Sequence, residues 1–204
     1  MEVARAREFD EDDVLERAMQ LFWARGYEAT TVADLTAELG LSKGSLYNAF
    51  GDKHTLFLAA LGRYGRGPGT ALAAALPATG PVLPRLGELL HELAEHIAAD
   101  PTRRGCFVVN STSELAARDD QVAACAREVF RALADALRTA LTRARDQGEL
   151  APDADPRHLA HFLVDTVQGM QVTGKADPDP ARLHATVDVA LSALVRAHPG
   201  PPSD

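Results

Sequence analysis

The chain has 204 residues, with 21 Lys+Arg against 29 Asp+Glu and a formal net charge of −8. Hydrophobic residues make up 46% and charged residues 25%, a composition that excludes global disorder, and the length suits one large domain or two small ones. Taken as a total, the acid excess speaks against a nucleic-acid partner.

The pattern predicts an all-α protein. Ala, Leu, Arg and Glu dominate and no stretch alternates with period two. Asp10 starts a first helix, where the acids Glu11, Asp12 and Asp13 suit the positive end. Val14, Ala18, Leu21 and Phe22 form its inward stripe, and Gly26 ends it. Thr31, with Asp34 three residues on, starts a second helix; Leu35 and Leu39 face inward and Gly40 stops it. Ser42 caps a short third helix over Lys43 to Phe50, and Gly51-Asp52 breaks it. A fourth helix is expected from Lys53 to Tyr64, followed by a hinge at Gly65 to Gly69 and a Pro-rich linker at Pro77 to Pro84. Further helices are expected near 82–99, 105–117, 121–147, 156–174 and 180–197, with a frayed tail from His198. The longest uncharged run, Gly67 to Pro84, holds four prolines and three glycines and makes a poor membrane helix. With only Cys106 and Cys125 and a charged start from Met1 to Asp10, a reducing, cytoplasmic setting is expected.

The second and third helices, joined at Gly40-Leu41-Ser42, read as a helix-turn-helix. In that motif the N-terminal residues of the second helix enter the major groove. Here they are Lys43, Gly44, Ser45, Tyr47 and Asn48. Lys43 suits guanine or phosphate, Gly44 a close backbone approach, Ser45 a base edge or phosphate, Tyr47 a phosphate and Asn48 adenine. Thr31 and Lys53 stand where backbone contacts are expected. Periodicity alone fits an ordinary packed helix pair equally well.

The run Ala29-Thr30-Thr31-Val32-Ala33-Asp34-Leu35, with Gly40-Leu41-Ser42-Lys43-Gly44-Ser45-Leu46-Tyr47-Asn48-Ala49-Phe50-Gly51-Asp52-Lys53, resembles the DNA-binding domain of TetR-type repressors. Leu21-Phe22, Gly26-Tyr27 and Leu56 extend the likeness over about the first quarter of the chain. The resemblance implies a homodimeric, ligand-responsive repressor with a DNA-binding domain at 1–52 and a helical sensor and dimerisation domain at 53–204. It implies no catalytic role and no cofactor. The family often carries His or an aromatic where Asn48 and Ala49 stand, so base preference does not carry over. Charge placement now answers the acid excess: six of the eleven acids up to Arg66 lie between Glu8 and Glu16. From Arg17 to Arg66 there are six basic residues against four acidic ones, and Arg5 and Arg7 offer an arm to the phosphates or minor groove.

In the sensor half, Cys106 is expected in the first turn of a helix. Amide N–H groups and Arg103 and Arg104 there favour a reactive thiolate, whereas a small buried residue is the rival reading. Lys175 stands alone among 18 arginines and three lysines as the lysine of this half. Gly105-Cys106, Glu114 and the Gly169 to Lys175 segment resemble the NemR-like, cysteine-sensing branch. This implies that Cys106 is the sensor thiol with Lys175 nearby; a helix-end cation facing Asp177 and Asp179 is the alternative. Cys125 reads as packing. An apolar ligand pocket is expected from Phe107, Phe130, Phe162, Met170 and Leu89, with Asn110, Gln168 and Gln171 as polar anchors. His158, His161 and Asp165 share a helix face without a fourth ligand, so no metal is expected; His91 and His96 lie on different faces. Ala160, Leu163, Val164, Val167, Gly169 and Met170, with Leu183, Val187, Val189, Ala190, Leu191 and Leu194, are expected to form the homodimer interface.

The function these features suggest is a repressor released from a palindromic operator when Cys106 is oxidised or alkylated. The runner-up is release by a noncovalent apolar ligand. More distant are an enzyme with a Cys106 nucleophile and a helical adaptor.

Overall fold

The computed structural model describes residues 10–76 and 78–196, and among these every regular element is a helix. In chain order they are α1 (Glu11–Arg25), α2 (Val32–Leu39), α3 (Lys43–Phe50), α4 (Lys53–Ala75), α5 (Val82–Ala99), α6 (Phe107–Leu115), α7 (Asp120–Asp146), α8 (Pro156–Ala176) and α9 (Pro180–Arg196). The expected arm at Arg5 and Arg7 and the tail from His198 lie outside the described residues.

The helix starts follow from side chains that satisfy unpaired backbone donors. Asp10 accepts from Asp12 N at 2.9 Å, Ser42 from Ser45 N at 3.1 Å, and Asp52 from Thr55 N at 2.7 Å. Thr31 and Asp34 close a reciprocal capping box, each side chain accepting from the other's backbone N–H. Gly40, at φ 67°, takes the left-handed turn between α2 and α3 that a Cβ would strain.

Two apolar cores meet at Phe130 and Leu133, which pack against both. The first joins Phe22, Leu35, Leu46, Leu56, Phe57 and Leu61 to Phe107 and Leu115 of α6 and to Val122 and Val129 of α7. The second unites Leu76, α5, the rest of α7, α8 and α9 around Leu86, Leu141, Leu163, Leu183 and Leu194. The first core therefore binds the helix-turn-helix to α6 and α7.

The expected hinge is not there. α4 continues without interruption through Gly65, Pro68 and Gly69 to Ala75. A Cβ on Gly65 would run into Val129, and one on Gly69 would meet Ala132 at 3.0 Å. These glycines let α4 and α7 cross closely, so their role is set by packing, which propensity cannot reveal. Polar ties that fasten the DNA-reading half to the rest include His54 Nε2 to Asp119 Oδ2 at 2.7 Å, Arg118 to Glu28 at 2.9 Å, and the Glu114 carboxylate, which accepts from Tyr27 N at 3.0 Å and Glu28 N at 2.8 Å.

Candidate nucleic-acid interface and sensor cavity

α3 encloses Leu46 fully, packs Tyr47 and Phe50 partly against the first core, and turns its remaining face outward. Lys43, Gly44, Asn48 and Ala49 are exposed; Ser45 and Tyr47 are half-buried. Ser45 Oγ lies 2.9 Å from Ser42 Oγ, and the Lys43 ammonium stands 5.6 Å from the centre of the Tyr47 ring. The Lys53 ammonium sits 4.1 Å above the Tyr27 ring at the start of α4. Thr31 is exposed, but its hydroxyl already donates to Asp34 Oδ2 at 2.6 Å. That bond, together with the Thr31 N–H and Arg25, holds the Asp34 carboxyl below the usual range. The predicted contact residues thus surround one outward helix flanked by two N-termini.

Cys106 does not sit in the first turn of α6. It is the residue before the helix, with extended backbone after the turn at Gly105. Its sulfur accepts a hydrogen bond from the Tyr64 hydroxyl of α4 at 3.6 Å. Burial, reinforced by the adjacent sulfur, pushes the Tyr64 phenol up, so this O–H stays a donor. Trp23 Nε1 of α1 donates to the Gly105 carbonyl at 3.1 Å, and the Arg104 guanidinium stacks 4.3 Å from the Trp23 ring. Asn110 Nδ2 donates to the Arg104 carbonyl at 2.7 Å, and Asn110 Oδ1 accepts from Lys175 Nζ at 3.0 Å. The Lys175 stem lies over Gly105, within about 3.0 Å of where a Cβ would stand. Lys175 is exposed in the last turn of α8, as the helix-end alternative has it, although Asp177 pairs with Arg182. Cys125 packs against the first core, and burial, then Glu128 and Asp119, raise its thiol pKa.

A cavity of about 660 Å³ opens between α4, α5, α7 and α8. Leu89, Phe130, Gln168 and Gln171 line it as expected, and Cys106, Trp23, Tyr64 and Lys175 stand in its wall. Three expected lining residues lie elsewhere. Phe162 is 41% exposed on the outer face of α8, Met170 is buried in the second core, and Phe107 is enclosed among Trp23, Phe57 and Tyr64. Asn110 borders a smaller pocket of about 220 Å³ between α1 and α6. The residues the sequence missed were Trp23 and Tyr64, whose aromatic character alone gave no hint of a shared wall.

Of the residues expected to make the dimer, Ala160, Leu163, Val164, Met170, Leu183, Val187, Ala190 and Leu194 are buried within the chain. A stripe reads apolar whichever partner covers it, and here α5 and α7 do so. What α8 and α9 leave outward is Phe162, Val172, Val189 and Val195. Among the described residues, no group of three His, Cys, Asp or Glu side chains could hold a metal ion. None of the described helices is long and apolar enough to cross a membrane.

An outward helix behind a tight turn, seated on an all-helical body with an internal cavity, defines a helix-turn-helix regulator. Residues 14–60 match the family described as bacterial regulatory proteins, tetR family, and residues 82–190 match the tetracyclin repressor-like C-terminal domain. The chain belongs to the TetR family of bacterial transcriptional regulators. It is 36% identical over 194 residues to the HTH-type transcriptional regulator YezE of Bacillus subtilis (strain 168), covering 94% of this chain and 100% of YezE. It is 32% identical to the HTH-type transcriptional repressor ComR of Escherichia coli (strain K12), over 93% and 90% of the two chains. A cysteine mutant of the TetR family regulator CifR, solved with 26 bp double-strand operator DNA, superposes with a TM-score of 0.77. Identity there is 34% over 93% of this chain and 99% of CifR. The reduced form of Escherichia coli NemR shares the fold, with a TM-score of 0.75 at 21% identity over 94% and 100% of the chains. The protein is a DNA-binding transcriptional repressor of this family, and its relatives are regulators rather than enzymes.

Proposed function

We propose that this repressor leaves its operator when Cys106 is oxidised or alkylated. The observation that carries the reading is the hydrogen bond from Tyr64 to the Cys106 sulfur, packed against the first core and lining the cavity. An electrophilic carbon adds a substituent to that sulfur. A peroxide transfers one oxygen to it, giving a sulfenic acid and leaving as an alcohol or water. Either product needs room where Tyr64, Trp23 and Phe107 already pack edge to face. Tyr64 then yields, and with it α4, whose first turn holds Lys53 beside the reading helix. The sulfur is half-buried and lines a cavity, which gives a reagent access. CifR, 34% identical, is a relative solved as a cysteine mutant in complex with its operator DNA.

In this reading Lys43, Gly44, Ser45, Tyr47 and Asn48 face the major groove, with Thr31 and Lys53 at the phosphates. Two protomers joined through the outward apolar residues of α8 and α9 present two such helices to a palindromic operator. Lys175, held by Asn110 against Gly105, positions the segment that carries the sensor thiol. The test is operator binding, by electrophoretic shift with DNA flanking the protein's own gene, before and after a thiol-selective oxidant and after reductant. Wild type loses and regains the shift while Cys106→Ser keeps it; release of Cys106→Ser by the oxidant refutes the reading. The cavity of about 660 Å³ favours a second reading, release by a noncovalent ligand, because pockets of this size hold small molecules.

A further inference from the structure

The cavity is apolar along most of its length, but its charged groups all gather at one end. Among the lining residues these are Asp100, Arg103, Arg104 and Lys175. Among the other described arginines most are matched to carboxylates, for example Arg25 to Asp34, Arg63 to Asp12 and Glu16, Arg85 to Glu88, and Arg182 to Asp177. At this end the pattern changes. Arg104 bonds to Gln20 Oε1 and Thr102 Oγ1 and stacks on Trp23, and Lys175 bonds to Asn110 Oδ1, all uncharged groups. The exposed Arg103 guanidinium has no hydrogen-bond or ion-pair partner among the described residues. Asp100 is spent locally: its carboxylate accepts from the Thr102 N–H and hydroxyl and from Arg104 N, and the Thr102 hydroxyl leads in holding its pKa low. The end therefore carries three cations against one committed anion.

From that end the apolar wall runs along α4 through Tyr64, Pro68, Leu72 and Ala75, about 16 Å of helix at 1.5 Å per residue. Leu86, Leu90, Leu133 and Leu137 close the other sides. We infer that the cavity binds a single-chain amphipathic anion, an alkyl carboxylate whose head meets Arg103 and Lys175 and whose tail lies along α4. This rests on the second reading above, and names its ligand class. The charge complementarity excludes a cationic amphiphile, and the apolar length excludes a small polar anion.

Trp23, the chain's one tryptophan, lines the cavity, so its fluorescence reports occupancy without any DNA. The probes are hexanoate, octanoate, decanoate and dodecanoate below their micelle concentrations, with decanol and decyltrimethylammonium as head-group controls. Affinity rises about fourfold per added methylene until the wall is filled. Arg103→Gln with Lys175→Gln weakens decanoate about tenfold and leaves decanol unchanged. Ala75→Phe, at the far end, brings the plateau to shorter chains. The inference is overturned if no carboxylate gives a saturable change, if decyltrimethylammonium binds as tightly as decanoate, or if the double substitution weakens decanol equally. Saturable binding that leaves the operator complex intact refutes the release reading instead and leaves the ligand class standing.

Discussion

Replacing Glu114 by alanine isolates the tie between α6 and the DNA-reading half. In the native structure its carboxylate accepts from Tyr27 N at 3.0 Å and Glu28 N at 2.8 Å, both in the turn between α1 and α2. Hydrogen bonds to a charged acceptor contribute about 1.5–3 kcal/mol each. The Tyr27 amide is partly buried and loses most of that value, whereas the Glu28 amide is exposed and regains water, so the sum is about 2–3 kcal/mol. For a chain of this size each kcal/mol moves Tm by about 2–4 °C, which gives a fall of about 5–10 °C for Glu114→Ala. Glu114→Gln keeps one acceptor and falls roughly half as far. Circular dichroism melts measure the shift, and operator titrations on the same samples show weaker binding, because the freed turn leads directly into Thr31 and α2. A Tm for Glu114→Ala within about 1 °C of wild type refutes the assignment of this carboxylate as a tie.

Lys43→Ala weakens operator binding evenly across sequences and reduces the slope of log affinity against log salt by about 1, read from titrations at several salt concentrations. Asn48→Ala, by contrast, relaxes discrimination at one base pair with little change in slope, measured on a panel of single-base operator variants. Tyr64→Phe removes the donor to Cys106 while keeping the ring, so operator affinity in reductant is retained and the rate of Cys106 alkylation, followed by mass spectrometry, changes. The Asp119 carboxyl is held below its ordinary range by its bond from Val122 N first and by His54 as well. A depressed folded pKa contributes stability above the unfolded value, near pH 3.9, and loses it as pH falls through the folded one, so Tm drops on the acid side. Asp119→Asn flattens part of that drop in melts taken from about pH 5 downward.

Local chemistry made much of the architecture readable. Asp10, Ser42 and the Thr31–Asp34 box start helices where short-range capping rules place them, and Gly40 turns where a left-handed residue is required. The misreading at Gly65 to Gly69 arose because the same residues that disfavour a helix locally permit close contact with Val129 and Ala132 from a distant helix. Cys106 was recognisable as a candidate, but its partner was not, since Tyr64 lies 42 residues away in sequence. Phe162 and Met170 show the same limit. Helical periodicity places them on a stripe without saying whether the stripe meets a cavity, a core or solvent, and the fold assigns them to solvent and core.

The unbroken α4 has a mechanical consequence. Gly65 and Gly69 pin it against α7, while Lys53 lies fifteen residues beyond Pro68, an arm of about 22 Å at 1.5 Å per residue. A tilt of about 5° at that crossing carries the tip of α4 through about 2 Å and has to break the bond from His54, beside Lys53, to Asp119. In the two-fold dimer proposed above the two arms would sweep oppositely, changing the separation of the reading helices by about 4 Å against a DNA repeat of about 34 Å. Under the release proposed above, a continuous rod would turn an adjustment the size of one atom at Tyr64 into a mismatch of more than one base-pair step at the operator.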